Sequence, residues 1–359
     1  MKPVALVTGE VSPYRREPFR LLAEAEGVEV IAFRDRASAE TGSIPGLTVH
    51  HVSERAAARL IASGRYRAAI VGLGGRVALP AAYAAARRAG IPFVLWASLW
   101  SHPRTPLHTL SWLPMRMVYR GADAVVTYGP HVSAYVERRR GAKGAVFEAP
   151  QAVSAAVFGA EVSADARAAA RHRAGASDDA FLLLFAGRLE REKGVAVLLD
   201  AWRRADLPDG ATLALAGAGP LRPDGPGVRT LGAVPREDLP ALYAAADALV
   251  LPSIPTATFL EPWGLVVNEA MHQGTPTIAT DAVGAVAGGL VRDGRNGLVA
   301  RAGDADALAT RIRALALNPG LRERLASAAR EDVAAFSEGA WVEGMRAALH
   351  AVGAGRVSP

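Results

Sequence analysis

Two short segments in the second half of this chain hold residue types at spacings suited to chemistry on a charged, hydroxylated ligand. The first is Gly187-Arg188-Leu189-Glu190-Arg191-Glu192-Lys193-Gly194. It follows the apolar run Phe181–Phe185 and precedes a helical pattern. That order places Arg188 and Lys193 at a strand-to-helix turn, where free backbone N–H groups and the positive helix end favour an anion. Two fixed cations at such a turn make a diphosphate site. An isolated Arg–Lys pair is more often a solvated loop. The flanking glycines, the position after a strand and the scarcity of lysine (Lys2, Lys143 and Lys193 among 41 basic residues) favour phosphate. The second segment is Glu261-Pro262-Trp263-Gly264-Leu265-Val266-Val267-Asn268-Glu269-Ala270-Met271, in which two glutamates bracket seven residues. A helix starting near Leu265 carries Glu269 about one turn in, and Gly264 lets backbone approach a ligand closely. A carboxylate at each position suits paired hydrogen bonds to vicinal hydroxyls, one set on a sugar and one on a ribose. Two surface glutamates at a helix start, favoured by its dipole, are the equal alternative.

The elements that must position these residues alternate regularly. Strand patterns fall at Val4–Thr8, Val28–Phe33, Leu47–Val52, Ala69–Leu73, Phe93–Ala97, Ala124–Thr127 and Ala145–Glu148. Helical stretches lie between them, at Pro18–Glu26, Ser53–Ser63, Leu79–Ala89, Leu107–Arg120 and His131–Arg140. The alternation lapses from Pro150 to Asp179 and restarts with Phe181–Phe185. Strands then fall at Leu213–Ala216, Val228–Leu231, Ala248–Leu251, Thr277–Ala279 and Leu298–Ala300. Helices intervene at Gly194–Arg204, Arg236–Ala245 and Val266–Gln273, and the C-terminal region is helical with breaks. Strands alternating with helices imply parallel βαβ units. The expected architecture is α/β, with two doubly wound domains facing across a cleft: residues 1–155, a linker at 156–178, residues 179–335, and a C-terminal helix and tail at 336–359. Ligands in such sheets sit beyond the C-terminal strand ends, so the cleft is the default site.

Composition narrows the chemistry. The 359 residues are 50% hydrophobic and contain no cysteine. A disulfide scaffold, a thiolate metal site and a Cys nucleophile are thereby excluded. The start, MKPVALVTGE, enters a strand pattern directly and does not read as a signal peptide. No apolar run reaches the roughly 20 residues of a membrane span. A cytoplasmic protein is expected, with the inner membrane face as an additional location. Residues 1–150 hold 20 basic and 11 acidic residues, while the remainder holds 21 and 24. A basic first half fits an anionic partner. An anionic membrane surface is one candidate. Nucleic acid is disfavoured, since no recognition motif accompanies the charge.

The ordered set GRLEREKG, GAGP (Gly217–Pro220), LGAVPREDLPALYAAADALVLPS (Leu231–Ser253), the Glu-x7-Glu segment, GTPTIATDAVG (Gly274–Gly284) and DGRNGLV (Asp293–Val299) resembles the retaining "group 1" glycosyltransferases of GT-B fold. The resemblance is dense from Phe181 to Asp304 and extends to the first domain only by pattern. It implies two Rossmann-like domains, with the C-terminal helix returning to the first. It also implies transfer of a sugar from a nucleotide-diphosphate sugar to a glycan, lipid-linked or small-molecule acceptor. Arg188 and Lys193 would bind the donor diphosphate, Glu269 the ribose, and Glu261 the transferred sugar. The backbone of Gly264, Leu265 and Val266 would meet the distal phosphate and sugar, and Val234 would lie near the base. No divalent metal or other cofactor would be obligatory, because fixed cations beside a helix start stabilise the charge developing on the leaving phosphate.

The chain departs from the family at three places. Trp263 stands where Phe is usual, a change that would narrow the sugar pocket. No acid follows Val283-Gly284. The glycine-rich first loop is replaced by Glu10-Val11-Ser12-Pro13-Tyr14-Arg15-Arg16. His102, after the strand Phe93–Ala97, is the first-domain histidine expected to face the reacting sugar, ahead of His131. Tyr14, Arg15 and Arg16 are the candidate acceptor contacts. The apolar, arginine-studded stretch Leu110–Arg120 reads as a core-facing helix, with docking on anionic lipid as the alternative. The run Arg138-Arg139-Arg140 reads as a solvated helix end. Two other functions share this architecture: a sugar-nucleotide epimerase, and a non-catalytic sugar-nucleotide-binding subunit. The motif set favours transfer over the first, and intact Arg188, Lys193 and Glu261 argue against the second.

Overall fold

The computed structural model describes residues 1–34, 44–75, 77–141 and 145–356, with the side chains of 106–111 left aside; Lys143 lies outside the described residues. The chain forms two units, one made of Met1–Gln151 with Glu338–Pro359 and the other of Ala152–Ser337. In the first unit the elements are β1 (Val4–Thr8), α1 (Arg16–Glu26), β2 (Val28–Ala32), β3 (Val49–His51), α2 (Glu54–Ala62), β4 (Ala68–Gly72), α3 (Ala78–Ala89), β5 (Phe93–Ala97), α4 (Pro106–Gly121), β6 (Ala124–Thr127), α5 (Pro130–Arg140) and β7 (Ala145–Glu148). The seven strands pair in parallel in the order β3-β2-β1-β4-β5-β6-β7. Strand order therefore reverses between β1 and β4, whose registered partners include Val4 with Ala68 and Val7 with Val71.

The second unit opens with α6 (Ala155–Phe158) and α7 (Ala164–Arg173), helices within the stretch expected to be a linker. Then come β8 (Leu182–Ala186), α8 (Val195–Arg204), β9 (Thr212–Ala216), β10 (Val228–Gly232), α9 (Leu239–Ala245), β11 (Ala248–Leu251), α10 (Val266–His272), β12 (Thr277–Thr280), α11 (Gly284–Ala287), β13 (Gly297–Ala300), α12 (Ala305–Leu317) and α13 (Pro319–Val333). Its six strands are also parallel, in the order β10-β9-β8-β11-β12-β13, so the reversal falls between β8 and β11. Every residue of β8 is buried, as expected of a strand covered by helices on both faces.

The last helix, α14 (Glu338–Ala351), belongs to the first unit. Trp341 is fully buried and packs against Phe19 at 5.7 Å and Trp96 at 5.6 Å between ring centroids. The buried carboxylate of Glu26 fastens this end: it pairs with Arg67 at 3.2 Å and Arg346 at 3.2 Å, and accepts the Arg356 backbone N–H at 2.7 Å. A buried carboxylate with several charge-assisted donors is strongly held.

Two expectations for the first unit are corrected. Arg140 is not a solvated helix end: it is buried, and its guanidinium donates to the carbonyls of Tyr119 at 2.7 Å and Ala122 at 3.1 Å. It satisfies the orphan carbonyls at the end of α4. Nor does α4 face only a core. Val118 and Tyr119 are buried, but Leu113 is 64% and Met117 66% exposed, with Trp112 half-exposed. No helix among the described residues is long and apolar enough to cross a membrane.

Candidate active site

The turn after β8 is built on backbone contacts that only glycine permits. Gly194 has φ +71°, and a Cβ there would lie 1.9 Å from the Pro252 carbonyl oxygen. The turn is pressed directly onto the chain that leaves β11. On its other side lies the Gly217–Pro220 loop. A Cβ on Gly217 would meet the Gly187 carbonyl at 1.8 Å, and one on Gly219 the Leu189 carbonyl at 2.3 Å. Hydrogen bonds lock the stack: Gly187 N–H to Ala216 at 2.9 Å, Leu189 N–H to Ala218 at 2.9 Å, and Ile254 N–H to Glu192 at 2.9 Å. The glycines of both motifs thus fix the turn that carries Arg188 and Lys193.

Lys193 reaches across the strand-order reversal. Its Nζ lies 2.5 Å from Glu261 Oε2, and both side chains are mostly buried. Ser253, two residues past β11, donates its hydroxyl to the same oxygen at 2.9 Å, and the ammonium also sits 5.2 Å from the Phe259 ring centre. An ammonium has three donors and Glu261 occupies one, so Lys193 keeps capacity for an anionic ligand. Arg188 is placed differently. Its side chain is 58% exposed and pairs with Glu190 at 2.5 Å and Glu192 at 3.5 Å on its own turn. The two cations share a turn but not an environment.

Gly264, with φ +97°, turns the chain from Glu261 into α10, and a Cβ there would press on Leu251 at 2.5 Å. The first helical hydrogen bonds run from Val267 N–H to Gly264 and from Glu269 N–H to Leu265. The N–H groups of Leu265 and Val266 therefore precede the helical ladder. Glu269 is buried and accepts a hydrogen bond from the Tyr243 hydroxyl at 2.6 Å. Burial pushes its pKa above the ordinary carboxylate value, against the opposing pull of the Tyr243 hydroxyl and the charge of Arg236. Burial, together with Glu269, pushes the Tyr243 phenol well up. Val234 is half-buried in the loop between β10 and α9.

Ser253, Tyr243 and Arg236 were not singled out from sequence. Each lies inside the quoted motif stretch 231–253, but only the contacts mark them. Trp263 is corrected from a pocket-narrowing residue to a packing residue. It is 2% exposed, donates its indole N–H to Asn268 Oδ1 at 2.8 Å, and stacks near Phe336 at 5.6 Å.

In the first unit, His102 lies in the loop between β5 and α4, on a cavity of about 670 Å³ that also meets Trp112, Arg138 and Arg139. His131 packs edge-on to Trp100 at 5.2 Å. Tyr14 and Arg15 line a separate cavity of about 240 Å³, whereas Arg16 is exposed and does not line it. Among the described residues no group of three or more His, Asp or Glu is arranged to hold a metal ion.

Residues 167–332 match the family model described as "Glycosyl transferases group 1". A D-inositol 3-phosphate glycosyltransferase of Nocardioides sp. is 34% identical over 203 residues, covering 48% of this chain and 42% of that protein. An uncharacterized glycosyltransferase of Methanocaldococcus jannaschii is 31% identical over 173 residues, 45% of this chain and 43% of that one. The chain spans less than half the length of these curated relatives. Solved structures match over the whole length. Anabaena HepE in complex with UDP superposes with TM-score 0.79 at 21% identity, covering 98% of this chain and 100% of that one. Sucrose-phosphate synthase of Thermosynechococcus elongatus gives 0.74 at 21% identity, covering 96% and 97%. The likeness is one of fold: two Rossmann-like parallel sheets of GT-B type.

Proposed function

We propose, from the match of residues 167–332 to the model described as "Glycosyl transferases group 1", that the protein is a glycosyltransferase using a nucleoside diphosphate sugar. The observation that carries the reading is the Lys193–Glu261 pair, 2.5 Å apart at the strand-order reversal of the second sheet. Ligands of open α/β sheets bind at that point. Lys193 and Arg188 bind the diphosphate, with the N–H groups of Leu265 and Val266 on the distal phosphate. Glu261 binds the transferred sugar, Glu269 the ribose, and the chain at Val234 borders the base. HepE has been crystallised with UDP and with UDP-glucose, which makes uridine donors the first to test.

The reaction runs with retention and without a required metal. The C1–O bond to the phosphate breaks with its electron pair passing to the diphosphate. The acceptor oxygen bonds to C1 on the same face, and its proton goes to the departing phosphate oxygen. Lys193 and Arg188 stabilise the charge that grows on that oxygen, and His102 contacts the sugar. The first unit, Met1–Gln151 with Glu338–Pro359, selects the acceptor. Its exposed Leu113 and Met117 lie on the same helix as Arg116 and Arg120, which supports peripheral contact with an anionic membrane.

The test is incubation of the full chain with UDP-, GDP- and ADP-sugars and an acceptor library, with and without EDTA. Release of nucleoside diphosphate coupled to a glycoside of the donor's anomeric configuration is expected. An epimerised donor with no transfer would overturn the reading in favour of an epimerase. Binding with neither transfer nor hydrolysis would leave the non-catalytic subunit.

A further inference from the structure

The first sheet has its own strand-order reversal, between β1 and β4, and the cavity of about 240 Å³ sits there. It is lined by residues at or just past the C-terminal ends of β1, β2, β4, β5 and β6, Arg15, Arg34, Trp96 and Tyr128 among them. Arg15 is its unusual member. It is 4% exposed, yet it makes no ion pair among the described residues. Its Nη2 donates to the oxygens of Gln151 and Tyr128, while Nε and Nη1 have no hydrogen-bond partner among the described residues. The charge lies instead against rings: Trp96 at 4.6 Å, Tyr14 at 4.9 Å, Trp341 at 5.7 Å and Tyr128 at 5.8 Å.

The other buried arginines behave differently. Arg140 holds two main-chain carbonyls, and Arg171 holds the carbonyl of Ala245 and the carboxylate of Asp247. They close the structure around themselves. Arg15 holds no main-chain carbonyl and no carboxylate, and it faces a cavity. A guanidinium fork with unspent N–H groups on a cavity matches the oxygens of a phosphate or carboxylate. Arg34 adds a second cation to the lining and Glu10 one opposing charge.

We propose that this cavity binds the oxyanion, phosphate or carboxylate, of a small hydroxylated molecule. That this molecule is the acceptor rests on the glycosyltransferase reading; the oxyanion site stands apart from it. Every lining residue belongs to the first unit. The rings around Arg15 hold the cation in place by cation–π attraction without neutralising it, which leaves its fork for the ligand.

The test is calorimetric titration of the full chain, with the second unit saturated by UDP, using glucose 6-phosphate, glucuronate and glucose. At least one charged sugar should bind about tenfold or more tighter than glucose, as charge-assisted hydrogen bonds require. The tighter of the two identifies the oxyanion. Arg15→Lys, which keeps the charge but loses the fork, and Arg34→Gln at an exposed position should both weaken that binding without altering UDP affinity. Glu10→Gln should tighten it. Equal affinity for charged and neutral sugars, binding by none of the three, or indifference to all three substitutions would overturn the proposal. Should UDP fail to bind while a charged sugar still does, the donor reading falls and this site remains.

Discussion

Removing the Lys193 ammonium should cost stability as well as turnover. The Lys193 and Glu261 side chains are 14% and 7% exposed, and Nζ lies 2.5 Å from Oε2. Truncating one member of a buried pair strands the other charge, at a cost of about 3–5 kcal/mol. Ser253 still donates to Glu261, so the lower end applies, about 3 kcal/mol. For a unit the size of Ala152–Ser337, each kcal/mol moves the midpoint by roughly 2–4 °C. Lys193→Met, which keeps the stem packed beside Phe259, should therefore lower the second unit's melting temperature by on the order of 10 °C. Glu261→Gln alone should also destabilise. The double variant leaves no stranded charge and should recover about 2 kcal/mol relative to the sum of the two. Scanning calorimetry of the four proteins reads the cycle directly, and a turnover assay run alongside should find both lysine variants inactive. A Lys193→Met protein melting with the wild type, or strictly additive variants, would refute the reasoning: the pair would then be a solvated surface contact.

Arg188→Ala should behave oppositely, changing stability by less than about 0.5 kcal/mol because an exposed ion pair contributes little, while slowing transfer about 100-fold or more by removing transition-state charge stabilisation; paired melting and rate measurements check it. Gly194→Ala should unfold the turn after β8, because the new methyl would meet the Pro252 carbonyl at 1.9 Å, and the chain should lose nucleotide binding in calorimetry. Nucleoside diphosphate affinity should fall as pH is lowered through the raised pKa of Glu269. The ionised carboxylate accepts both ribose hydroxyls and the protonated one does not, so the decline sets in above the ordinary value of 4.5. Its share is the pH-dependent difference between the wild type and Glu269→Gln, and a zero difference would contradict it.

Most strands were legible because the sheets are parallel and their central strands are covered. β1, β5, β6 and β11 span the residues that alternation and apolar runs marked, as does the more exposed edge strand β7. The stretch containing α7 was not legible as a helix, since its Ala- and Arg-rich face lacks an apolar stripe. Both site segments could be read one at a time from local glycines and charges. Their contact could not: Lys193 and Glu261 are 68 residues apart, and Tyr243 and Glu269 are 26 apart. Arg15 was readable as a loop cation but not as a buried one, because the rings around it come from Tyr14, Trp96, Tyr128 and Trp341. Trp263 misled because a bulky residue beside a ligand motif suggests a pocket wall, while its indole is spent on Asn268.

The return of α14 to the first unit sets an order on biosynthesis. Ala152–Ser337 is continuous in the chain and can collapse as soon as it leaves the ribosome. The earlier-made portion cannot finish: Phe19 and Trp96 wait for Trp341, and Glu26 waits for Arg346 and Arg356. The half synthesised first is thus the half completed last, and during that interval its aromatic face is open to chaperones or to misassembly.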